Sequence, residues 1–425
     1  MSNNFDSNIT RKLARVFLEA FETERVLSKN VNTQLLAVKF DPSSGDTVDF
    51  KRPNDYKSLS TTDGDISTTR RDIITGKASG VVQNYITVPI EWKEADEAIK
   101  MDQLDELIAP AARRIVTDLE LNMATYMLKN TGLLAGTVGT AATTWDHVAK
   151  AGAMMNATGI PMDAPWYYTV NPFTQAKLAS NQRSLGAGGT AGDLITTAHE
   201  KSTLSRQYAG FDRVMTANTL PSYNTDAAAD RAGTLTANPT VTYVGAKDSM
   251  TMSIAVTAMG ANAVVAAGET IQITGRYRNN LATRQKILDD TGAPILFTGT
   301  VTAAVTLGAS GEGTLVITGP AIYEASGAYN TVDSAPVSGD VVTRLGSAGA
   351  TIQPNLFWHK NAFGIGSVPI GKLYSTDTIA TTEDGLQIRI SKGADFSANK
   401  QMVRFDLRPA FACFNPFFAG QGFGS

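Results

Sequence analysis

The chain has 425 residues, a formal net charge of −3, 43% hydrophobic residues and 18% charged ones. That length can bury two or three cores, and the charge balance leaves no basic footprint for wrapping nucleic acid. The single cysteine, Cys413, cannot form an intrachain disulfide, and no run of about 18 apolar residues offers a membrane span.

The first element is a helix. Ser7 or Asn8 can cap it, and Ile9, Leu13, Val16, Phe17, Ala20 and Phe21 recur at helical spacing. Arg11, Lys12 and Arg15 come early, and Glu19, Glu22 and Glu24 come late. This order opposes the helix dipole, so the helix needs a packing partner to be stable. No long apolar run follows Arg11 and Lys12, so a secretory signal is not expected and the chain reads as made in a reducing cytoplasm.

Residues 45–50 and 81–92 read as strands. Between them, "FKRPNDYKSLSTTDGDISTTRRDIITGK" holds charge, Ser, Thr and Gly with few apolar side chains. A loop of that length inside a compact domain is uncommon and usually functional or disordered. A long helix follows: Leu104, Leu107, Ile108, Ala111, Ile115, Leu119, Met123 and Tyr126 step by three or four. Pro110 either begins a helix there or kinks a longer one. From residue 110 to 129 it would span roughly 30 Å, a strut.

"TTWD" at 143–146 suggests a capping box opening a helix through residue 155. "WYYTVNP" reads as a buried strand, with a further helix at 174–179. At Pro221 the texture changes to Thr, Val, Gly and Ala. The segments 239–245, 249–258, 269–275, 295–307, 313–319 and 339–346 read as short strands of a small barrel or sandwich. Large aromatics return at 353–369, and 385–393 and 401–416 read as strands. The organisation is an α+β body interrupted by one all-β domain.

No enzyme motif stands out. "GAGGTAGD" at 186–193 contains G-x-G-x-x-A, but a helix rather than a strand precedes it, so it reads as a loop. His147, His199 and His359 make no ligand pair at metal-binding spacing. "DGD" at 63–65 lacks the remaining ligands of a calcium loop. With Arg70 and Arg71 close by, Asp63 and Asp65 suggest an ion-pairing surface that sets register rather than affinity. No catalytic residue, metal site or cofactor is expected.

The order of elements (charged helix, long arm, strut helix, α+β body, β insert, return to the body) resembles the major capsid proteins of tailed bacteriophages with the Hong Kong 97-like fold. It is most similar to the short-tailed phage type with an inserted domain. "GDTVDFKRP", "TGKASGVVQNYITV", "DEAIKMDQLDELIAP", "RIVTDLE", "QPNLFWHK" and "MVRFDLRPAFACFNP" carry the resemblance in order along nearly the whole chain.

The resemblance implies an N-terminal arm over residues 1–30, and an E-loop and peripheral domain with its spine helix over 31–130. It places an axial domain and the rest of the body at 131–220 and 348–425, and an inserted barrel-like domain at 221–347. It also implies self-assembly into hexamers and pentamers of an icosahedral head, a T=7 shell by the same likeness. That head would enclose double-stranded DNA, held non-specifically, with a portal at one vertex, and would be assembled in the host bacterial cytoplasm without a membrane. Intersubunit contacts of the E-loop would fall on Lys51, Arg52, Lys57, Asp63, Asp65, Arg70, Arg71 and Lys77. The loop begins too early for a cleaved scaffolding segment, so a separate scaffolding protein is expected, with Glu19, Glu22 and Glu24 as contact candidates. Maturation would bend the spine helix near Pro110. No Lys–Asn crosslink is expected. A carbohydrate- or receptor-binding β module is the alternative reading of the insert.

Overall fold

A computed structural model describes residues 5–37, 47–52, 56, 62–67, 73–93, 104–185, 198, 201–204, 207–325, 327–374, 377–395 and 400–425. The chain forms two compact units. One comprises Met1–Asp49, Ser79–Ala124 and Phe363–Ala412; the other comprises Phe50–Ala78, Thr125–Ala362 and Cys413–Ser425.

In the first unit the N-terminal helix runs Phe5–Glu24, with no basic residue in its last turn. Its stability comes from packing: Phe17 and Phe21 are fully buried, and Phe17 stacks on Phe405 at 4.7 Å between ring centroids. The helix rests on an antiparallel sheet in the order Thr378–Thr381, Gln387–Asp395, Lys400–Leu407, Ile86–Lys93. The expected single strand at 81–92 is two strands. Lys77–Val82 pairs with Pro409–Cys413, whereas Ile86–Lys93 pairs with Lys400–Leu407. The chain changes sheets at 83–85, where the Gln83 N–H donates to the Pro409 carbonyl at 2.8 Å.

The long helix is Leu104–Lys129, with Pro110 inside it rather than at its start. At about 1.5 Å per residue its 26 residues span about 39 Å. In its first-unit portion, Ile108, Ala111, Ala112, Ile115, Val116, Leu119 and Met123 are buried, while Pro110 faces outward. Glu120 is buried on this helix and accepts from the Leu27 N–H at 2.6 Å and the Ser28 N–H at 3.0 Å. It thereby holds the turn that follows the N-terminal helix.

The second unit is built on a five-stranded sheet in the order Leu133–Ala135, Ala419–Gly422, Asn355–His359, Trp166–Val170, Arg213–Thr216. Its outer pairings are parallel and its inner ones antiparallel. Trp166, Tyr168, Val170 and Phe357 pack against Val148, Ala151 and Met155 of the helix Trp145–Thr158. That helix is capped at Thr144, one residue later than the sequence suggests, because His147 reaches back. Its Nδ1 accepts from the Thr143 N–H at 3.1 Å and the Thr144 N–H at 3.4 Å. The next helix is longer than expected, Pro172–Leu185, with Pro at its start and Asn171 accepting from the Thr174 N–H at 2.7 Å.

The Thr- and Val-rich stretch closes into an antiparallel barrel of six strands. Its order is Thr270–Tyr277, Leu296–Val301, Gly313–Thr318, Thr251–Thr257, Ala232–Leu235, Val341–Arg344 and back to the first. Period-two alternation turns Met252, Ile254, Val256, Leu315 and Ile317 inward around Phe297. One expected strand is replaced. Residues 239–245 hold instead a short helix, Tyr243–Ala246, because the Thr242 hydroxyl caps it by accepting from the Gly245 N–H at 3.2 Å. The sixth strand is Ala232–Leu235.

The barrel is tied to the sheet of its own unit by buried polar contacts. Arg278 is fully buried and donates to the carbonyls of Gly132 and Thr298, each at 2.7 Å. Gln421 Nε2 donates to the Gly268 carbonyl at 2.9 Å. Among the described residues no helix is long and apolar enough to cross a membrane.

Candidate functional site

The segment Phe50–Ala78 clusters with the second unit, and its two ends are fastened there. Arg52 is 8% exposed, and among the described residues its guanidinium meets a set of carbonyl oxygens rather than a carboxylate. Nε donates to Lys77 at 3.0 Å, Nη2 to Asp248 at 3.2 Å and to Cys413 at 3.3 Å, and Nη1 to Phe414. Burial pulls its pKa below the usual arginine value, opposed by the electrostatics of Cys413, Tyr243, Tyr126 and Asp248. The Arg52 N–H donates to the Gly76 carbonyl at 2.8 Å, closing the two ends on each other. Phe50 meets Phe414 edge-on at 5.8 Å. At Gly76 a Cβ would lie 2.5 Å from the Lys247 carbonyl oxygen, so this approach requires glycine.

The described part of the tip is exposed throughout residues 62–67. It folds as successive side-chain-capped turns. Asp63 accepts from the Asp65 N–H at 3.1 Å, and Asp65 from the Ser67 N–H at 2.8 Å, about Gly64 at φ +75°. The hydrogen bonds from Ser67 hold the Asp65 carboxyl below the usual range. The arm also exposes apolar side chains that its polar composition hides: Tyr56 is 68% exposed, Ile66 53% and Ile73 67%.

The other sequence candidates fall as follows. Lys51 and Lys77 are exposed at the arm base, while Lys57, Arg70 and Arg71 lie outside the described residues. On the N-terminal helix Glu19 is exposed, Glu24 pairs with Arg113 at 3.2 Å, and Glu22 accepts from the Glu383 N–H at 2.9 Å. The glycine-rich stretch 186–193 and His199 also lie outside the described residues. His359 is fully buried against Asp163 at 3.0 Å; burial pulls its pKa down and Asp163 partly opposes this. Lys247 and Asp248, marked by no pattern in the sequence, belong to the arm base through contacts that only the tertiary fold creates. Among the described residues no group of three or more His, Cys, Asp or Glu could hold a metal ion. The described residues form a segment fastened at its two ends, with exposed side chains between them.

Residues 1–424 match the model of the P22 coat protein family, described as gene protein 5. The chain is 37% identical, over 429 residues and 100% of both chains, to the major capsid protein of Acyrthosiphon pisum secondary endosymbiont phage 1. Among solved structures, one from Mycobacterium phage Che8 aligns with TM-score 0.46 and 11% identity, over 94% of this chain and 92% of that one. The capsid of Ralstonia phage GP4 aligns with TM-score 0.42 and 8% identity, over 95% and 91%. With the family matched along almost its entire length, the chain belongs to the P22 coat protein family and is a tailed-phage major capsid protein, a structural component of the virion and not an enzyme.

Proposed function

We propose that many copies of this chain assemble, through the arm of residues 50–78, into the hexamers and pentamers of an icosahedral head around double-stranded DNA. The observation that carries this reading is the arm itself. Its base is fastened by the hydrogen bonds of the buried Arg52, and its far part exposes Tyr56, Ile66 and Ile73 beside Asp63 and Asp65. Apolar side chains held outward on a fixed base are made for a neighbouring surface, and the acids beside them select register there. Lys51, Lys57, Arg70, Arg71 and Lys77 contribute the opposite charge; Arg52 serves as the anchor within its own subunit.

In this reading residues 1–30 act as the N-terminal arm, the long helix as a Hong Kong 97-like spine, and residues 221–347 as an inserted domain. A separate scaffolding protein guides closure and meets the N-terminal helix at its late acids Glu19, Glu22 and Glu24, of which Glu19 is exposed while Glu24 pairs with Arg113 and Glu22 with the Glu383 N–H. Maturation flexes the spine near Pro110, a portal occupies one vertex, and assembly takes place in the host cytoplasm. The net charge of −3 lets the inner wall tolerate packed DNA without gripping it. Electron microscopy of the chain expressed with and without a scaffolding partner tests the reading. Closed shells that are lost on deleting residues 58–69 are expected; a monodisperse monomer or dimer under every condition would overturn it.

A further inference from the structure

The base of the arm is not held by the body sheet alone. Four contacts fasten it to residues 243–248, the short helix and turn that lead into the barrel strand Thr251–Thr257. The Asp248 carboxylate accepts from the Lys77 N–H at 3.0 Å, and the Asp248 carbonyl accepts from Arg52. Lys247 Nζ donates to the Thr75 carbonyl at 3.3 Å. Ile74 packs against the buried cluster of Tyr243, Ala246 and Ile322. Tyr243 of this cluster also stacks on Tyr329, with ring centroids 3.5 Å apart and planes 3° from parallel. The missing Cβ at Gly76 lets the two backbones meet.

We infer that residues 243–248 are a positioning device by which the barrel domain fixes where the arm of residues 50–78 leaves the subunit, with Asp248 as its principal residue. The inference rests on the reading of that arm as an intersubunit element. Two features separate this role from ordinary packing. Asp248 is exposed, so its carboxylate adds nothing to a core, yet it caps a backbone N–H on the far strand of the arm base. Both chain directions of the arm are held, Arg52 on the way out and residues 74–77 on the way back, and both converge on one hexapeptide of the insert. A hinge held on both strands transmits a rotation of its support; one held on a single strand does not. A shift of residues 243–248 therefore re-aims the arm.

The test uses full-length unassembled subunits and the variants Asp248→Ala, Asp248→Asn and Gly76→Ala, followed by hydrogen exchange of peptides covering Arg52 and Lys77. Asp248→Ala should speed exchange at Lys77 about tenfold or more. Asp248→Asn, which retains an acceptor oxygen, should stay within about threefold of the parent. Gly76→Ala should speed exchange at both Arg52 and Lys77, while the barrel strand Gly313–Thr318 keeps its protection in all three. In assembly, Asp248→Ala should give misshapen shells and Asp248→Asn should restore regular ones. Unchanged exchange at Lys77 in Asp248→Ala, or equal effects of Ala and Asn, would overturn the inference. The underlying reading of the arm fails separately, if deletion of residues 58–69 leaves normal shells.

Discussion

Substitution of Asp406 by Asn tests the buried charge at the centre of the first unit. Asp406 is fully buried on the strand Lys400–Leu407. One carboxylate oxygen accepts from Arg389 Nη2 at 2.5 Å and Nε at 3.1 Å; the other accepts from Arg404 Nε at 2.6 Å and Thr87 Oγ1 at 2.7 Å. Arg389 is 6% exposed, so the neutral amide leaves its guanidinium without a counter-charge. Asn has nearly the same shape, which removes cavity formation from the account. Breaking one side of a buried pair costs about 3–5 kcal/mol, or roughly two to three and a half orders of magnitude in an opening equilibrium at about 1.4 kcal/mol per decade. Native-state hydrogen exchange of the amides in residues 400–407 reads that opening directly. The paired variant Arg389→Met with Asp406→Leu, which removes both charges, should recover most of the loss. Exchange in Asp406→Asn within about threefold of the parent would refute the assignment of a coupled buried charge. The pH dependence has a definite sign. Burial raises the Asp406 pKa, but the hydrogen bonds from Thr87, Arg404 and Arg389 outweigh it and the net shift is downward. Its contribution is therefore present above the unfolded carboxyl pKa near about 4 and is lost as pH falls through the lower folded value. The acid limb of the stability profile should be shallower in Asp406→Asn.

Phe17→Ala should cost about 3–5 kcal/mol, because the ring is fully buried and stacked on Phe405; exchange across Phe5–Glu24 reports it, and protection equal to the parent would show that the helix is stable alone. Arg278→Met removes a 2.7 Å hydrogen bond to the Gly132 carbonyl across the barrel–sheet contact, a second of 2.7 Å to Thr298 within the barrel, and a buried cation whose pKa burial lowers to about 10. A net loss of about 1–3 kcal/mol is expected, seen as a lower urea midpoint, while a rise in midpoint would show that the cation's burial dominates. Glu120→Gln keeps one acceptor for the Leu27 and Ser28 N–H groups but adds a donor among donors; faster exchange at residues 27–28 with an intact long helix is expected.

The helices and barrel strands were legible in the sequence where one face is buried, and the strand Trp166–Val170, buried at every position, as a short apolar run. The strand Trp166–Val170 and four of the barrel strands fall where the patterns put them, within a residue or two, and the helix Trp145–Thr158 runs three residues past its expected end. The misses have local causes. "AGTL" at Ala232–Leu235 carries only two buried positions and little β-branched content, so nothing marks it until Val341–Arg344 and Thr251–Thr257 pair on either side of it. "TYVG" looks like a strand by composition, yet one hydroxyl cap and the Tyr243–Tyr329 stack settle it as helix. The candidate site was legible as a length of polar chain between strands, but not as an anchored arm. The groups that receive Arg52 are backbone carbonyls, which are the same in every sequence, and Lys247 and Asp248 reach the arm only through the tertiary fold.

That difference explains how the chain uses its arginines. Read as composition, a near-neutral count of charges suggests a solvated surface. In the structure Arg25, Arg52, Arg278, Arg344 and Arg389 are all buried. Arg25 meets Asp384 at 2.8 Å and Arg389 meets Asp406, whereas Arg52 and Arg278 donate to carbonyl and hydroxyl oxygens, with Arg278 also over the Phe297 and Phe417 rings. The guanidinium suits that use, because its fixed fork of donors can gather carbonyls from several segments at once and remains charged after a downward shift. Arg52 gathers residues 77, 248, 413 and 414, and Arg278 gathers 132 and 298. Each joins parts of the chain that are distant in sequence, at a junction where an apolar side chain would leave the carbonyls unsatisfied. Lysine, with a single ammonium, could reach fewer of these oxygens. Arg52→Lys should therefore loosen the arm base nearly as much as Arg52→Met, and equal exchange protection of Lys77 in Arg52→Lys and the parent would show that charge alone suffices.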